Sequence, residues 1–179
     1  MTRTFISLGL SNEAINEIKR IQDLLMDKNL FSGKFTGLEN LHLTLKFLGE
    51  ISEEKICEVR KILEKIRMKK FFAKFSDIGV FSPEFIRILW IKLDGEGVFD
   101  LQEIIDQKLS DLFEPENRFM SHITIARIKN IKDRKKFFEY INSIKVNEIN
   151  FEINCFYLMS SNLTSKGPIY TVLNKYNLI

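Results

Sequence analysis

The sequence predicts an α+β fold made of two similar lobes, and two observations support this prediction. A four-residue pattern, His-apolar-Thr-apolar, occurs at residues 42–45 and again at 122–125, and it contains both histidines of the 179-residue chain. The order strand, helix, loop, His-x-Thr strand, helix, strand also occurs twice. Repeats of this size usually form units that complete each other's apolar faces. We therefore expect a bilobal, pseudo-twofold duplicated unit, with antiparallel sheets lining a central cleft and helices on the outside.

The first repeat unit is predicted to run from about residue 3 to about residue 82. Its predicted elements are a strand at 5–10, a helix capped by Ser11 or Asn12, a loop at 31–40, a strand at 41–48, a helix opened by Ser52 and a strand at 70–81. Apolar residues recur every three or four positions in both helical segments, which is typical of helices with one buried face. Gly49 is expected to end the second strand because glycine weakens a strand interior.

The second repeat unit is predicted at about 85–160, and a closing strand at about 168–178 completes a single bilobal domain over residues 1–179. The unit's predicted elements are a strand at 86–93, a turn at 94–97, a helix at 98–112, a strand at 122–129, a short basic helix at 133–141 and a strand at 149–159. Ile88 precedes His122 by 34 residues and Ile6 precedes His42 by 36, so the two units keep nearly the same spacing.

The two His-x-Thr segments are the candidate catalytic strands. Side chains alternate between the faces of a strand, so each histidine shares a face with its threonine while the aliphatic residues point the other way. Histidine can accept or donate a proton near neutral pH, and two facing imidazoles can therefore work as base and acid. The best role for Thr44 and Thr124 is to bind an oxyanion, because neither has the surroundings of an activated nucleophile.

Two other interpretations of the histidines compete with catalysis. A lone histidine on a strand is usually structural, but two histidines at matched places in a repeat favour function. A zinc site needs three or four ligands, and neither histidine has a second ligand at the close spacing that is usual in such sites. Cys57 and Cys155 lie in segments predicted to be core. The sequence therefore predicts neither a metal site nor a cofactor.

Composition limits the class of protein and its surroundings. The apolar fraction is 45%, which is ordinary for a globular protein. The net charge is only +3, so the chain lacks the concentrated basicity of a protein that coats nucleic acid. No apolar run is long enough to cross a membrane. Two distant cysteines do not form a disulfide framework, and they favour a reduced, cytoplasmic location.

Basic and aromatic side chains near the motifs are the candidate substrate contacts. The basic residues at strand starts or beside the motifs are Arg3, Lys34, Arg87, Arg118 and Arg127. Arg127 follows His122 by five positions, so a bulge or the end of the strand is needed to bring it to the histidine face. Phe35, Phe47, Phe81 and Phe119 are the aromatic residues that could stack on a base.

Residues 41–50 (LHLTLKFLGE) and 121–129 (SHITIARIK) closely resemble the two motifs of the 2H phosphoesterase superfamily. Within it the chain looks like the archaeal and bacterial RNA 2′,3′-cyclic phosphodiesterases, historically called 2′-5′ RNA ligases. The resemblance extends to Arg3-Thr4-Phe5-Ile6, to Arg87-Ile88-Leu89-Trp90 and to Gly167-Pro168-Ile169-Tyr170.

This resemblance implies hydrolysis of a terminal 2′,3′-cyclic phosphate of RNA to a 2′-phosphate, without metal and with reversible 2′-5′ ligation as a related reaction. It implies His42 as proton donor and His122 as proton acceptor. The expected partners are RNA 3′ ends, with tRNA fragments among them, bound by a monomer that has no membrane contact. Two alternatives stay open: a cyclic phosphodiesterase for small nucleotides, and a non-catalytic module that binds RNA ends.

Overall fold

The computed structural model describes residues 1–165 and 167–179, and in these residues it contains nine β-strands and four α-helices. In chain order they are β1 (Thr2–Leu8), α1 (Asn12–Lys28), β2 (Phe31–Phe35), a 3₁₀ turn (Leu38–Asn40), β3 (Leu43–Ile51), α2 (Glu53–Leu63), β4 (Phe71–Val80), β5 (Ile88–Asp94), α3 (Glu96–Lys108), β6 (His122–Ile131), α4 (Arg134–Ser143), β7 (Asn150–Ile153), β8 (Cys155–Thr164) and β9 (Gly167–Asn177).

The strands form one antiparallel sheet that the two histidine strands join at its centre. Its order is β7-β4-β5-β6-β3-β1-β8-β9, and β2 pairs with β6. β3 and β6 touch through a single residue pair, Leu43 with Ile123, beyond which the two strands separate. The predicted α+β class with antiparallel strands is therefore confirmed.

The two sides of this sheet each contain strands from both halves of the chain. β4, from the first half, pairs with β5, while β8, from the second half, pairs with β1. α3 likewise contacts both β3 and β4. The halves are therefore intertwined, and the limits of the two repeat units stay a prediction.

Helix starts follow the predicted capping residues. The hydroxyl of Ser11 accepts a hydrogen bond from the Ala14 N–H at 3.2 Å, and that of Ser52 accepts one from the Lys55 N–H at 3.3 Å. The apolar stripes of the helices pack beneath the sheet, where Ile18 and Ile21 of α1 are fully buried. No helix in the described part of the chain is long and apolar enough to cross a membrane.

Two glycine-containing segments differ from the prediction. Residues 31–35 are predicted as loop but form β2, because Gly33 lets the backbone lie against β6: a Cβ there would be 2.2 Å from the carbonyl oxygen of Arg127. Gly49 is predicted to end its strand, yet β3 continues to Ile51. Its positive φ of 75° lets the strand pass through an irregular register without ending.

Other predicted boundaries also moved. The strand expected at 149–159 is divided into β7 and β8, and α3 ends at Lys108 and not at 112. Both cysteines are free thiols, but Cys57 is exposed on α2, so the prediction that it lies in a core segment is wrong for its side chain; Cys155 is buried.

Candidate active site

The two His-x-Thr strands meet at the centre of the sheet. An antiparallel register that aligns Leu43 with Ile123 puts His42 across from Thr124, and Thr44 across from His122. The four polar side chains line one cleft. The two motifs therefore converge on one cleft, as predicted.

The alternation predicted for these strands is present, and it is the same in both. Residues 41–50 and 121–130 have identical burial classes at all ten positions. Leu43 and Ile123 are fully buried on the helix side, whereas the imidazoles are partly accessible on the cleft side. The two strands are thus structural equivalents.

Each imidazole is oriented by a main-chain carbonyl two residues earlier. Nδ1 of His42 lies 2.7 Å from the Asn40 carbonyl oxygen, and Nδ1 of His122 lies 2.8 Å from that of Met120. Because a carbonyl oxygen only accepts, Nδ1 carries a hydrogen in both rings. Nε2 is then the nitrogen left for chemistry. The sequence carries no signal for these bonds, since any residue supplies a carbonyl.

The cleft lowers the pKa of both histidines. Burial is the largest cause for each, and the carbonyl that accepts from Nδ1–H works in the opposite direction. The pKa of His42 is further lowered by the charge of His122, so the two rings are close enough to interact. An unliganded site therefore favours neutral imidazoles, and an anionic ligand would favour adding a proton.

Aromatic rings surround the two imidazoles unequally. The ring centroids of Phe5 and Tyr170 lie 5.0 and 5.1 Å from that of His42. On the other side the ring of Phe81 lies 4.7 Å from that of His122. Tyr170, in β9, is not among the predicted site residues, because only the pairing of β9 with β8 brings it to the cleft.

A β-bulge in each motif strand changes which side chains reach the cleft. In β6, Leu89 pairs with Ala126 and Trp90 with Thr124, so Ile125 is the inserted residue. The bulge turns Arg127 to the histidine face, as its spacing of five residues from His122 requires.

The bulge of β3 has the same form. Ile6 pairs with Lys46 and Ser7 with Thr44, which leaves Leu45 as the inserted residue. Phe47 consequently faces the cleft, where it is 62% exposed. Phe47 is thus the counterpart of Arg127.

The cleft has a volume of about 610 Å³. Its lining residues are Lys34, Phe35, Thr36, Gly37, Glu39, Asn40, His42, Thr44, Phe47, Ile88, His122, Thr124, Arg127, Thr164, Gly167, Pro168, Ile169 and Tyr170. Lys34 and Arg127 are the predicted cations that line it, and Phe35 and Phe47 the predicted aromatics. Phe119 packs against Phe99 instead, with ring centroids 5.7 Å apart.

Three predicted basic residues lie outside the lining of this cleft. Arg3 is exposed on β1, although its charge still acts on Tyr170. Arg87 lies over the ring of Phe85, 4.3 Å from its centroid, and Arg118 lies on an exposed loop. Within the described residues, no group of three or more His, Cys, Asp or Glu side chains could hold a metal ion.

Two oriented imidazoles, two hydroxyls and two cations line one cleft, a set of groups that can perform acid–base chemistry on an anionic substrate. A family model described as LigT-like phosphoesterase matches residues 8–90 and again residues 91–170. The chain belongs to this family of phosphoesterases.

Two relatives agree with this assignment, and a solved structure has the same fold. The chain is 34% identical over 177 residues to an RNA 2′,3′-cyclic phosphodiesterase of Methanocaldococcus jannaschii, covering 97% of this chain and 99% of the relative. It is 35% identical over 191 residues to the protein of that name from Aquifex aeolicus, covering 99% and 98%. The crystal structure of a Thermus thermophilus protein, TT0787, superposes with a TM-score of 0.82 at 26% identity, covering 98% of this chain and 97% of that one.

Proposed function

We propose that the protein hydrolyses the terminal 2′,3′-cyclic phosphate of RNA to a 2′-phosphate by metal-free acid–base catalysis. The observation that carries this proposal is the pair of imidazoles with both Nδ1–H groups held by carbonyls and Nε2 left for chemistry. The relatives named RNA 2′,3′-cyclic phosphodiesterase support the substrate.

The reaction needs one proton removed and one supplied. Nε2 of His122 takes a proton from water, whose oxygen attacks phosphorus. The bond between phosphorus and the 3′-oxygen then breaks, and Nε2–H of His42 protonates that oxygen, so the phosphate stays on the 2′-oxygen. Proton transfer from His122 back to His42 through solvent restores the resting state. With an RNA 5′-hydroxyl in place of water as the nucleophile, the same steps would form a 2′-5′ bond.

Charge that develops on the phosphate oxygens is stabilised by hydroxyls and cations of the cleft. Thr44 and Thr124 donate hydrogen bonds to the non-bridging oxygens, and Arg127 and Lys34 add positive charge. Oγ1 of Thr44 lies 3.1 Å from Nε2 of His42. The Thr44 hydroxyl donates to this nitrogen while it is unprotonated, and it turns to the phosphate when Nε2 carries the proton.

The rest of the RNA chain is bound outside the phosphate pocket. Phe47 offers an exposed ring for a base, and Arg87 continues the positive charge beyond Arg127 along β5 and β6. We assign Arg3 and Arg118 weaker contacts with the RNA backbone, because both are exposed. The protein acts as a monomer in the cytoplasm, on RNA 3′ ends such as those of tRNA fragments.

The test is incubation with an RNA oligomer that ends in a 2′,3′-cyclic phosphate, followed by identification of the product. A 2′-phosphate is expected, and EDTA should leave the rate unchanged. A mononucleotide cyclic phosphate serves as comparison, since faster turnover of the mononucleotide would favour a small-nucleotide enzyme. A 3′-phosphate product, activity restored by zinc after EDTA, or binding without turnover would each contradict the proposal.

A further inference from the structure

Gln22 is a buried polar residue of α1 that joins two strands of the cleft. Its side chain is 5% exposed, and Nε2–H₂ donates to the carbonyl oxygens of Ile125 and Thr36, both at 2.9 Å. The Thr36 N–H donates to the same Ile125 oxygen at 3.0 Å. One carboxamide therefore ties the end of β2 to β6.

Ile125, whose carbonyl accepts from Gln22, is the inserted residue of the β6 bulge. Without that insertion, strict alternation would turn Arg127 away from His122 and Thr124. β2 carries Lys34, whose register partner on β6 is Arg127. Both cations that line the cleft are thus attached to the backbone that Gln22 holds.

The other half of the chain contains a matched residue without this bond. Gln102 of α3 lies 20 residues before His122, as Gln22 lies 20 before His42. Gln102 is 7% exposed, but its Nε2 has no hydrogen-bond partner among the described residues. In place of such a bond, Lys46 of β3 connects that strand to α3 and the loop after it: its ammonium donates to the Asp106 carboxylate and to the Glu114 carbonyl.

We propose that Gln22 is a positioning residue, which acts through the β6 bulge to hold Arg127 and Lys34 toward a phosphate in the cleft. A buried amide that bonds two carbonyls resists loss of either bond, because a carbonyl left unpaired in the interior is costly. This inference rests on the proposed function for the role of the two cations, but its test has a readout apart from activity.

The experiment compares Gln22→Met with Gln102→Met, which replace each amide by an apolar chain of similar length. Inorganic phosphate is titrated while the NMR signals of the two histidines are followed, and the steady-state constants are measured with the cyclic-phosphate RNA. We expect Gln22→Met to raise the phosphate Kd and the KM about tenfold, with a smaller change in kcat and an unchanged pH profile. Gln102→Met should change the Kd and the KM by less than about twofold.

A double-mutant cycle with Arg127→Ala distinguishes positioning from general stability. If Gln22 acts through Arg127, adding Gln22→Met to Arg127→Ala should raise the phosphate Kd by clearly less than it does alone. A wild-type Kd in Gln22→Met, or fully additive effects, would overturn the inference.

If Gln22→Met does not fold, Gln22→Asn keeps the amide but withdraws it by one methylene, and the same Kd criterion applies. If the wild type did not hydrolyse the RNA, the proposed function would be wrong. The phosphate Kd values would still test the role of Gln22.

Discussion

The two His-x-Thr strands follow the same backbone course but present different side chains after their bulges. The first strand continues as Lys46-Phe47 and the second as Ala126-Arg127. The aromatic ring and the guanidinium therefore occupy equivalent places in the cleft. The two strands thus share their backbone course and their imidazoles, whereas the neighbouring contacts differ.

The two imidazoles also differ in what surrounds them. Nε2 of His42 lies 3.1 Å from Thr44 Oγ1, and the described residues give no matching bond between His122 and Thr124. Tyr170 of β9 packs on His42, while Phe81 packs on His122. These differences give a pseudo-symmetric cleft two distinguishable ends, so a bound substrate can have one preferred direction.

The largest expected effect tests whether both imidazoles are required. His42→Ala and His122→Ala should each lower kcat/KM by roughly 10²–10⁴, because each removes one proton-transfer group. The measurement is steady-state hydrolysis of the cyclic-phosphate RNA, with thermal unfolding as the control for folding. If one variant kept wild-type activity, the two-histidine mechanism would be wrong.

The next effect concerns the buried charge that is found beside one bulge only. The Lys46 side chain is 3% exposed and pairs with Asp106, whereas Ala126 stands at the equivalent place. Lys46→Met should lower the free energy of unfolding by about 3–5 kcal/mol, since it leaves a buried carboxylate without its cation. Urea unfolding measures this change. The double variant Lys46→Met/Asp106→Leu should recover much of the loss, and an equal or greater loss would contradict the explanation.

A smaller effect separates the two divergent cleft residues. Arg127→Ala should raise KM about tenfold and reduce its dependence on salt, because a charge contact with phosphate is lost. Phe47→Ala should raise KM about fivefold with the salt dependence unchanged, because stacking involves no ion release. KM values measured at several salt concentrations distinguish the two. Equal salt slopes in both variants would show that the proposed division of roles is wrong.

The smallest effect is on the pH dependence of stability. The histidine pKa values are lowered from 6.5 in the folded state, so the unfolded chain binds protons first as pH falls. The histidines therefore leave the free energy of unfolding unchanged above about pH 7 and lower it progressively below about 6.5. Urea unfolding between about pH 5 and 8 on the wild type and on His42→Asn/His122→Asn tests this. The double variant should lose part of the slope, and an unchanged slope would contradict the pKa shifts.

The local parts of this protein were predictable because local periodicity determines them. Alternation put His42, Thr44, His122 and Thr124 on one face, and the structure agrees. Serine caps and apolar stripes likewise located the starts of α1 and α2. One local signal was misleading: Gly49 indicated a strand end, yet β3 continues through it because β1 stays paired with β3 as far as Ile51.

The sequence by itself determined the two motif strands, their amphipathic helices and the acid–base chemistry they can perform. Only the tertiary structure decided which cations enter the cleft, because that depends on the bulges and on pairing between β2 and β6. It also decided that a main-chain carbonyl accepts from Nδ1–H of each imidazole and that Tyr170 packs on His42. The physical reason is that side-chain alternation is set within a strand, whereas bulges, carbonyl partners and cleft walls are set by segments far away in the chain.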